Sequence, residues 1–250
     1  MTATNLTGKV ILITGASRGI GAGLAQDFHS QGAKLALCAR GDIPLHGSSD
    51  VMTAQFDISD KQAMFDFVGA VVTQFGDIDL FVNNAGMLEP VVALRDLTDE
   101  DLQRHFAVNV FGVLYGSQAY AAHVRERDSA NEAVLINISS GAAWGGYAGW
   151  GAYCMGKAAV DRLSETLALE ESANGLRVHA VAPGIVDTDM QELIRASDES
   201  VFPTVETFKG FKQDDAFNTL GFVAEHIRDL AFDDDYAHDE VVVRVPSEKG

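Results

Sequence analysis

The chain has 250 residues, 47% of them hydrophobic, and 36 acidic against 18 basic side chains, a net charge of -18 that opposes broad attraction to nucleic acid or an anionic membrane. No run of ~18 apolar residues offers a membrane span, and the polar start MTATNLTGK lacks the basic and apolar regions of a secretory signal. Cys38 and Cys154 form neither a metal-ligand spacing nor a disulfide framework, which leaves the expectation of one cytoplasmic domain over residues 1–250, acting on a small molecule and needing no metal.

In chain order, the apolar run KVILIT reads as a strand, and it enters the glycine-rich turn TGASRGIGAG and a helix over residues 19–30. This strand, turn and helix form the context in which a glycine turn binds a nucleotide. Gly15 permits the tight turn, Gly19 lets the backbone approach a pyrophosphate, and Gly21 lets the helix pack closely on the sheet. A second strand, KLALCA, ends at Ala39 and Arg40. The following GDIPLHGSSD is too short and too rich in glycine and proline for a crossover helix, so an abbreviated loop leads to the third strand, VMTAQF. A helix over 61–75, the strand DLFVNN and a long helix over 99–127, opened by the capping pair Thr98 and Asp101, come next.

The strand AVLINIS precedes an aromatic stretch with Trp144, Tyr147 and Trp150 and a helix over 151–173, followed by the strand LRVHAVA and the turn PGIVDT. Residues 196–213 break the pattern, with Phe202, Phe208 and Phe211 around Pro203; a lid over a pocket, spanning about 190–215, and a solvated surface excursion both fit this stretch. A helix over 218–232 and the strand EVVVRV complete an α/β pattern: a doubly wound, mostly parallel seven-stranded sheet flanked by helices.

Within YCMGK, Tyr153 and Lys157 are four residues apart and share one helix face. A tyrosine titrates near ~10 and enters neutral-pH proton transfer only when a nearby cation stabilises its phenolate, which Lys157 is placed to do.

The ordered set TGASRGIG, NNAG, YCMGK and PGIVDT resembles the short-chain dehydrogenase/reductase family along the whole chain. The resemblance implies a Rossmann-type domain in which Gly15, Ser17, Arg18, Gly19, Ile20 and Gly21 receive the cofactor phosphates. It implies Asp57 and Ile58 at the adenine, Asn83, Ala85 and Gly86 beneath the adenosine, and Pro183, Gly184, Val186 and Thr188 around the nicotinamide carboxamide. It further implies a tetrad of Asn109, Ser140, Tyr153 and Lys157. In it, Tyr153 gives a proton to a carbonyl oxygen that Ser140 polarises, Lys157 grips the nicotinamide ribose, and Asn109 links Lys157 to solvent through water.

Ala39 stands where an acid would accept hydrogen bonds from an NAD ribose, and Arg40 and Arg18 are placed to meet a 2'-phosphate, so NADPH/NADP+ is the expected cofactor. The stretches around YCMGK and PGIVDT are particularly similar to sepiapterin reductase and to benzil reductase-like members. At the C-terminal region, Asp239, Glu240 and Glu248 are out of register with an acid that would anchor a pterin, whereas Trp144, Tyr147 and Trp150 fit two readings: a wall for a flat apolar ketone or vicinal diketone, and, for one or two of them, packing of the loop or of a subunit interface. Pterin reduction, and a non-catalytic NADPH-sensing regulator on the same fold, remain the alternatives. Apolar stripes through Phe106, Val110 and Leu114 and through Leu163 and Leu167 lead us to expect a homodimer or homotetramer.

Overall fold

The computed structural model describes residues 5–127, 133–233, 235–236 and 240–249. Seven strands, β1 (Val10–Thr14), β2 (Lys34–Ala39), β3 (Val51–Gln55), β4 (Leu80–Asn83), β5 (Ala133–Ile138), β6 (Leu176–Ala182) and β7 (Val242–Arg244), form one sheet in the order β3-β2-β1-β4-β5-β6-β7. The expectation was a mostly parallel sheet, and all six pairings are parallel. The β2–β3 connection has no helix, yet the two strands pair from Leu35 opposite Val51 to Ala39 opposite Gln55.

Helices α1 (Gly19–Ser30) and α8 (Leu220–Phe232) cover one face of the sheet, and α2 (Lys61–Phe75) and α4 (Val113–Glu126) the other. The strand period of two sorts the core between them. Ile11, Ile13, Leu35 and Leu37 pack with Leu24, Phe28, Val223 and Ile227, while Leu12, Ala36 and Cys38 pack with Met64, Phe67, Val71 and Tyr120. The strand order reverses between β1 and β4, so the crevice beyond their C-terminal ends is the place where an open α/β sheet receives ligands.

Two elements differ from the sequence reading. The long helix over 99–127 is broken into α3 (Asp99–Phe106), a π-helical turn over Ala107–Gly112, and α4. Asn109 sits inside that turn with its side chain engaged to the backbone of Met87, and Gly112 lies against Ile58, so the helix widens where it meets the site. The stretch over 190–215 contains two helices, α6 (Asp189–Arg195) and α7 (Val205–Gln213). Met190 and Ile194, and then Val205 and Phe208, recur at helical spacing and pack against Trp150 and Tyr153 of α5 (Gly151–Glu171) and its N-cap, which is what a surface excursion would lack. Among the described residues no helix is long and apolar enough to cross a membrane.

Candidate active site

At the C-terminal end of β1 the chain is tied to the end of β4. Thr14 Oγ1 accepts hydrogen bonds from the amides of Asn84 and Ala85, both 3.0 Å, and Asn84 Nδ2 donates to Thr14 O at 2.9 Å. Gly15 turns between them at φ +70°, where a Cβ would lie 2.8 Å from Ala85 Cα; only glycine permits this close approach. Beyond the turn, α1 begins at Gly19 with no side chain capping its first amides, so these donors face the crevice.

The crevice is a cavity of about 820 Å³, toward the upper end for small-ligand sites. Gly15, Ser17, Arg18, Gly19, Ile20, Arg40, Asp57, Ile58, Ala85, Gly86, Ser140, Tyr147, Trp150, Tyr153, Lys157, Pro183, Gly184, Val186 and Thr188 all line it, so most of the residues singled out in the sequence converge on one space. Four do not reach its wall. Gly21 packs under Asn84, and Asn83 is buried on Asn137 at 2.9 Å and Ser117 Oγ at 3.3 Å, so both shape the turns from behind. Asn109 is fully buried. Trp144 is absent from the wall; its side chain is hydrogen-bonded to Asp161 and the centre of its ring lies 4.5 Å from Arg244 Cζ.

Ala39, small and buried, and the exposed Arg40 that follows it line the cavity, as does the exposed Arg18 of the glycine turn. Arg40 Nη1 lies 3.7 Å from Asp57 Oδ2, and Arg18 Nη1 lies 2.9 Å from Asp189 Oδ2. The other carboxylate oxygen of Asp57 accepts from Ser59 N at 3.0 Å and Ser59 Oγ at 2.8 Å, which fixes the orientation of the group. A glycine cradle that a Cβ would fill and uncapped helix amides fit the phosphates of a dinucleotide cofactor.

Ser140, just after β5, and Tyr153 and Lys157 of α5 also line the cavity. Lys157 Nζ donates to Ile138 O at 2.7 Å and lies 5.7 Å from the centre of the Tyr153 ring. Burial pushes the lysine down to about 8, against the opposing pull of Asp161. Burial also pushes the Tyr153 phenol up, with a hydrogen bond from Ser140 drawing it part of the way back. The lowering of Tyr153 expected from Lys157 is therefore not produced by the protein groups alone; desolvation outweighs a cation held at that distance.

Behind Lys157, Asn109 Nδ2 donates to Met87 O at 2.7 Å and Asn109 Oδ1 accepts from Met87 N at 2.9 Å. A Cβ on Gly86 would sit 3.1 Å from Asn109 Oδ1 and 3.8 Å from Lys157 Nζ, so the two side chains meet across that glycine.

Several residues of the site were not singled out in the sequence. His105 is fully buried, with Nε2 2.6 Å from Asn109 Nδ2 and Nδ1 2.8 Å from Glu89 O. Ser139 donates to the buried Asp161. Asn218 Nδ2 donates to Pro183 O at 3.1 Å and Pro246 O at 3.0 Å, holding the PGIVDT turn to the C-terminal segment. His105 and Asp161 each fall one helical turn from a chosen residue, Asn109 and Lys157, which was the available signal; nothing in the local sequence marks Asn218. Of the C-terminal acids, Glu248 caps the amide of Thr219 at 2.6 Å, Glu240 lends its backbone carbonyl to His179 at 2.9 Å, and Asp239 lies outside the described residues. Neither Glu240 nor Glu248 lines the cavity.

Residues 9–199 match the short chain dehydrogenase family. The benzil reductase ((S)-benzoin forming) of Bacillus subtilis is 28% identical over 86% of this chain and 90% of its own length. A diacetyl reductase [(S)-acetoin forming] of Staphylococcus aureus is 34% identical over 74% of each chain. The crystal structure of a short chain dehydrogenase/reductase from Saccharomyces cerevisiae superposes with a TM-score of 0.85 at 29% identity, over 96% of this chain and 97% of that one. With its motifs gathered on one cavity and a family match over most of its length, the chain belongs to the short-chain dehydrogenase/reductase family of oxidoreductases.

Proposed function

We propose that the protein is an NADPH-dependent carbonyl reductase acting on aromatic ketones and vicinal diketones. The observation that carries this reading is that Ser140, Tyr153 and Lys157 line one cavity together with the glycine turn and the aromatic side chains Tyr147, Trp150, Phe208 and Phe211. When bound, the dinucleotide supplies a hydride to the carbonyl carbon. Tyr153, kept protonated at neutral pH by its burial, donates its phenolic proton to the carbonyl oxygen as charge develops there. Ser140 holds that oxygen in place. Lys157, charged below about pH 8, grips the ribose and favours the phenolate that forms, and Asn109, braced by Met87 and His105, orients the lysine across Gly86.

Arg40, next to the small Ala39, and Arg18 in the glycine turn favour a 2'-phosphate over a free ribose hydroxyl. The aromatic part of the lining is Tyr147, Trp150, Phe208 and Phe211, without Trp144. Such a wall rewards burial of a flat apolar group by ~25 cal/mol per Å², whereas a pterin brings ring donors that cost ~1–3 kcal/mol each if unmet. No C-terminal acid among the described residues lines the cavity to meet them, which supports the diketone over the pterin. Helices α6 and α7 carry part of that wall and act as the lid, pinned to the cofactor loop through the pairs Arg195–Asp187, at 3.3 Å, and Lys212–Asp187. The relatives named for benzil and diacetyl reduction act on vicinal diketones, which agrees with this class.

The test is a specificity series following NADPH oxidation with benzil, 1-phenyl-1,2-propanedione, sepiapterin and simple ketones. The reading expects kcat/KM for the aromatic diketones to exceed that for sepiapterin by at least about tenfold. Preferred reduction of sepiapterin contradicts it.

A further inference from the structure

Thirty-six carboxylates surround eighteen basic side chains in this protein, and the arginines are accordingly engaged. Arg18, Arg40, Arg95, Arg104, Arg125, Arg127, Arg162, Arg195 and Arg228 each meet a carboxylate, and Arg177 donates to backbone carbonyls of α8. Arg244 is different. Among the described residues its guanidinium has no carboxylate and no hydrogen-bond partner, and it lines the cavity beside Ser140 and Gly141.

The guanidinium is held in position by stacking. Arg244 is the last residue of β7, in register with Ala182, and its Cζ lies 4.5 Å from the centre of the Trp144 ring. Trp144 is in turn fixed by its hydrogen bond to Asp161, the carboxylate that also takes the Ser139 hydroxyl. Arg244 Nη2 comes within 3.2 Å of the point where a Cβ on Gly141 would lie, so the cation sits one residue away from the serine proposed to hold the reacting carbonyl. An unpaired guanidinium with its face covered keeps its N–H edges for a ligand, and the group that matches that fork is a carboxylate.

We infer that Arg244 is a substrate-specificity residue that binds a carboxylate on the carbon next to the reacting ketone, so that the preferred substrates are aryl 2-oxo acids. This rests on the carbonyl-reductase reading of the same site. The ketone oxygen lies on Ser140 and Tyr153, the carboxylate lies on Arg244 across Gly141, and the aryl group enters the wall of Trp150 and Phe208. The ketone carbon takes a hydride, two electrons, from NADPH, and its oxygen takes one proton from Tyr153, which is replenished from solvent. The product is the aryl 2-hydroxy acid with its carboxylate unchanged. The net charge of the chain does not oppose this, because charges beyond a Debye length of ~8 Å are largely screened and Arg244 lines the site itself.

The experiment compares phenylglyoxylate with its neutral methyl ester in the unmodified protein, Arg244→Gln and Arg244→Lys. It measures kcat/KM with NADPH and, separately, calorimetric binding of phenylglyoxylate in the presence of NADP+. The expected result is a preference of at least about tenfold for the anion over the ester that is lost in Arg244→Gln, where the anion falls by at least about tenfold more than the ester, and that is partly restored in Arg244→Lys. Equal losses for anion and ester in Arg244→Gln, or no preference for the anion in the unmodified protein, overturn the assignment of Arg244 while reduction of the ester keeps the carbonyl reductase. If neither compound is reduced but phenylglyoxylate binds and Arg244→Gln abolishes the binding, the carboxylate site stands and the reductase reading falls. Absence of both turnover and binding overturns the inference.

Discussion

Arg40 and Lys157 show how single charges act in this site. Arg40 stands 3.7 Å from Asp57, and its side chain is 69% exposed, so the ~4 kcal/mol Coulomb term of an ion pair at ~4 Å is reduced by solvent. Arg40→Asp is accordingly expected to weaken NADPH binding by about ten- to a hundredfold and to leave NADH binding within a few-fold, read by fluorescence titration of each nucleotide; equal losses for both would remove the 2'-phosphate assignment. Lys157 is held at about 8 by burial, below its ordinary 10.5. Between those values the unfolded chain carries the extra proton, so stability rises with pH through that window, and below about pH 8 the full penalty is in place. Chemical denaturation of the unmodified protein and Lys157→Met should therefore diverge by about 3 kcal/mol in favour of the unmodified protein as pH climbs from about 8 to 10.5, and parallel curves would contradict it. At this scale the sequence was most readable where the residue type is itself the chemistry, as with Tyr153, Lys157 and the glycine turn. Spacing along a short turn does not tell which way a ring points, so the packing reading kept open for one or two of the three aromatics is the one that Trp144 follows, engaged by Asp161 and Arg244.

Among the elements, α7 and the segment before it were the least legible. Phe202, Phe208 and Phe211 looked irregular around Pro203, and the reason they form an ordered wall is tertiary. Phe202 is fully buried and stacks on Trp150 with ring centres 4.6 Å apart, and Phe208 packs on both. Phe202→Ala removes that seat, which is expected to cost ~3–5 kcal/mol in the packing of this segment. Its kinetic signature should be a rise of about tenfold in KM for benzil with KM for NADPH nearly unchanged; an equal rise for both would show that α7 is not a substrate lid. The strands, by contrast, were readable almost to the residue because period-two burial on both faces leaves little freedom of register. The π-helical turn at Asn109 was not, since it arises from the grip of Met87 on that side chain and from Ile58 against Gly112.

For the molecule as a whole, Phe106, Val110, Leu114, Leu163 and Leu167 are half-buried and Phe111, Met155 and Leu169 are exposed, so the helices that carry them keep apolar side chains available for pairing between copies. A homodimer or homotetramer is expected in solution scattering at micromolar concentration, and a strictly monomeric mass would contradict that. The topology explains why one sheet can bring distant motifs together: β1, β4, β5 and β6 run in one direction, so the turns after them open into the same crevice. The chemistry assigned to that crevice is tested most directly by Tyr153→Phe, with NADPH oxidation by 1-phenyl-1,2-propanedione and NADPH affinity measured on the same preparation. The account predicts a loss of at least about a thousandfold in kcat with the NADPH dissociation constant within a few-fold of the unmodified protein. Turnover close to that of the unmodified protein would contradict it.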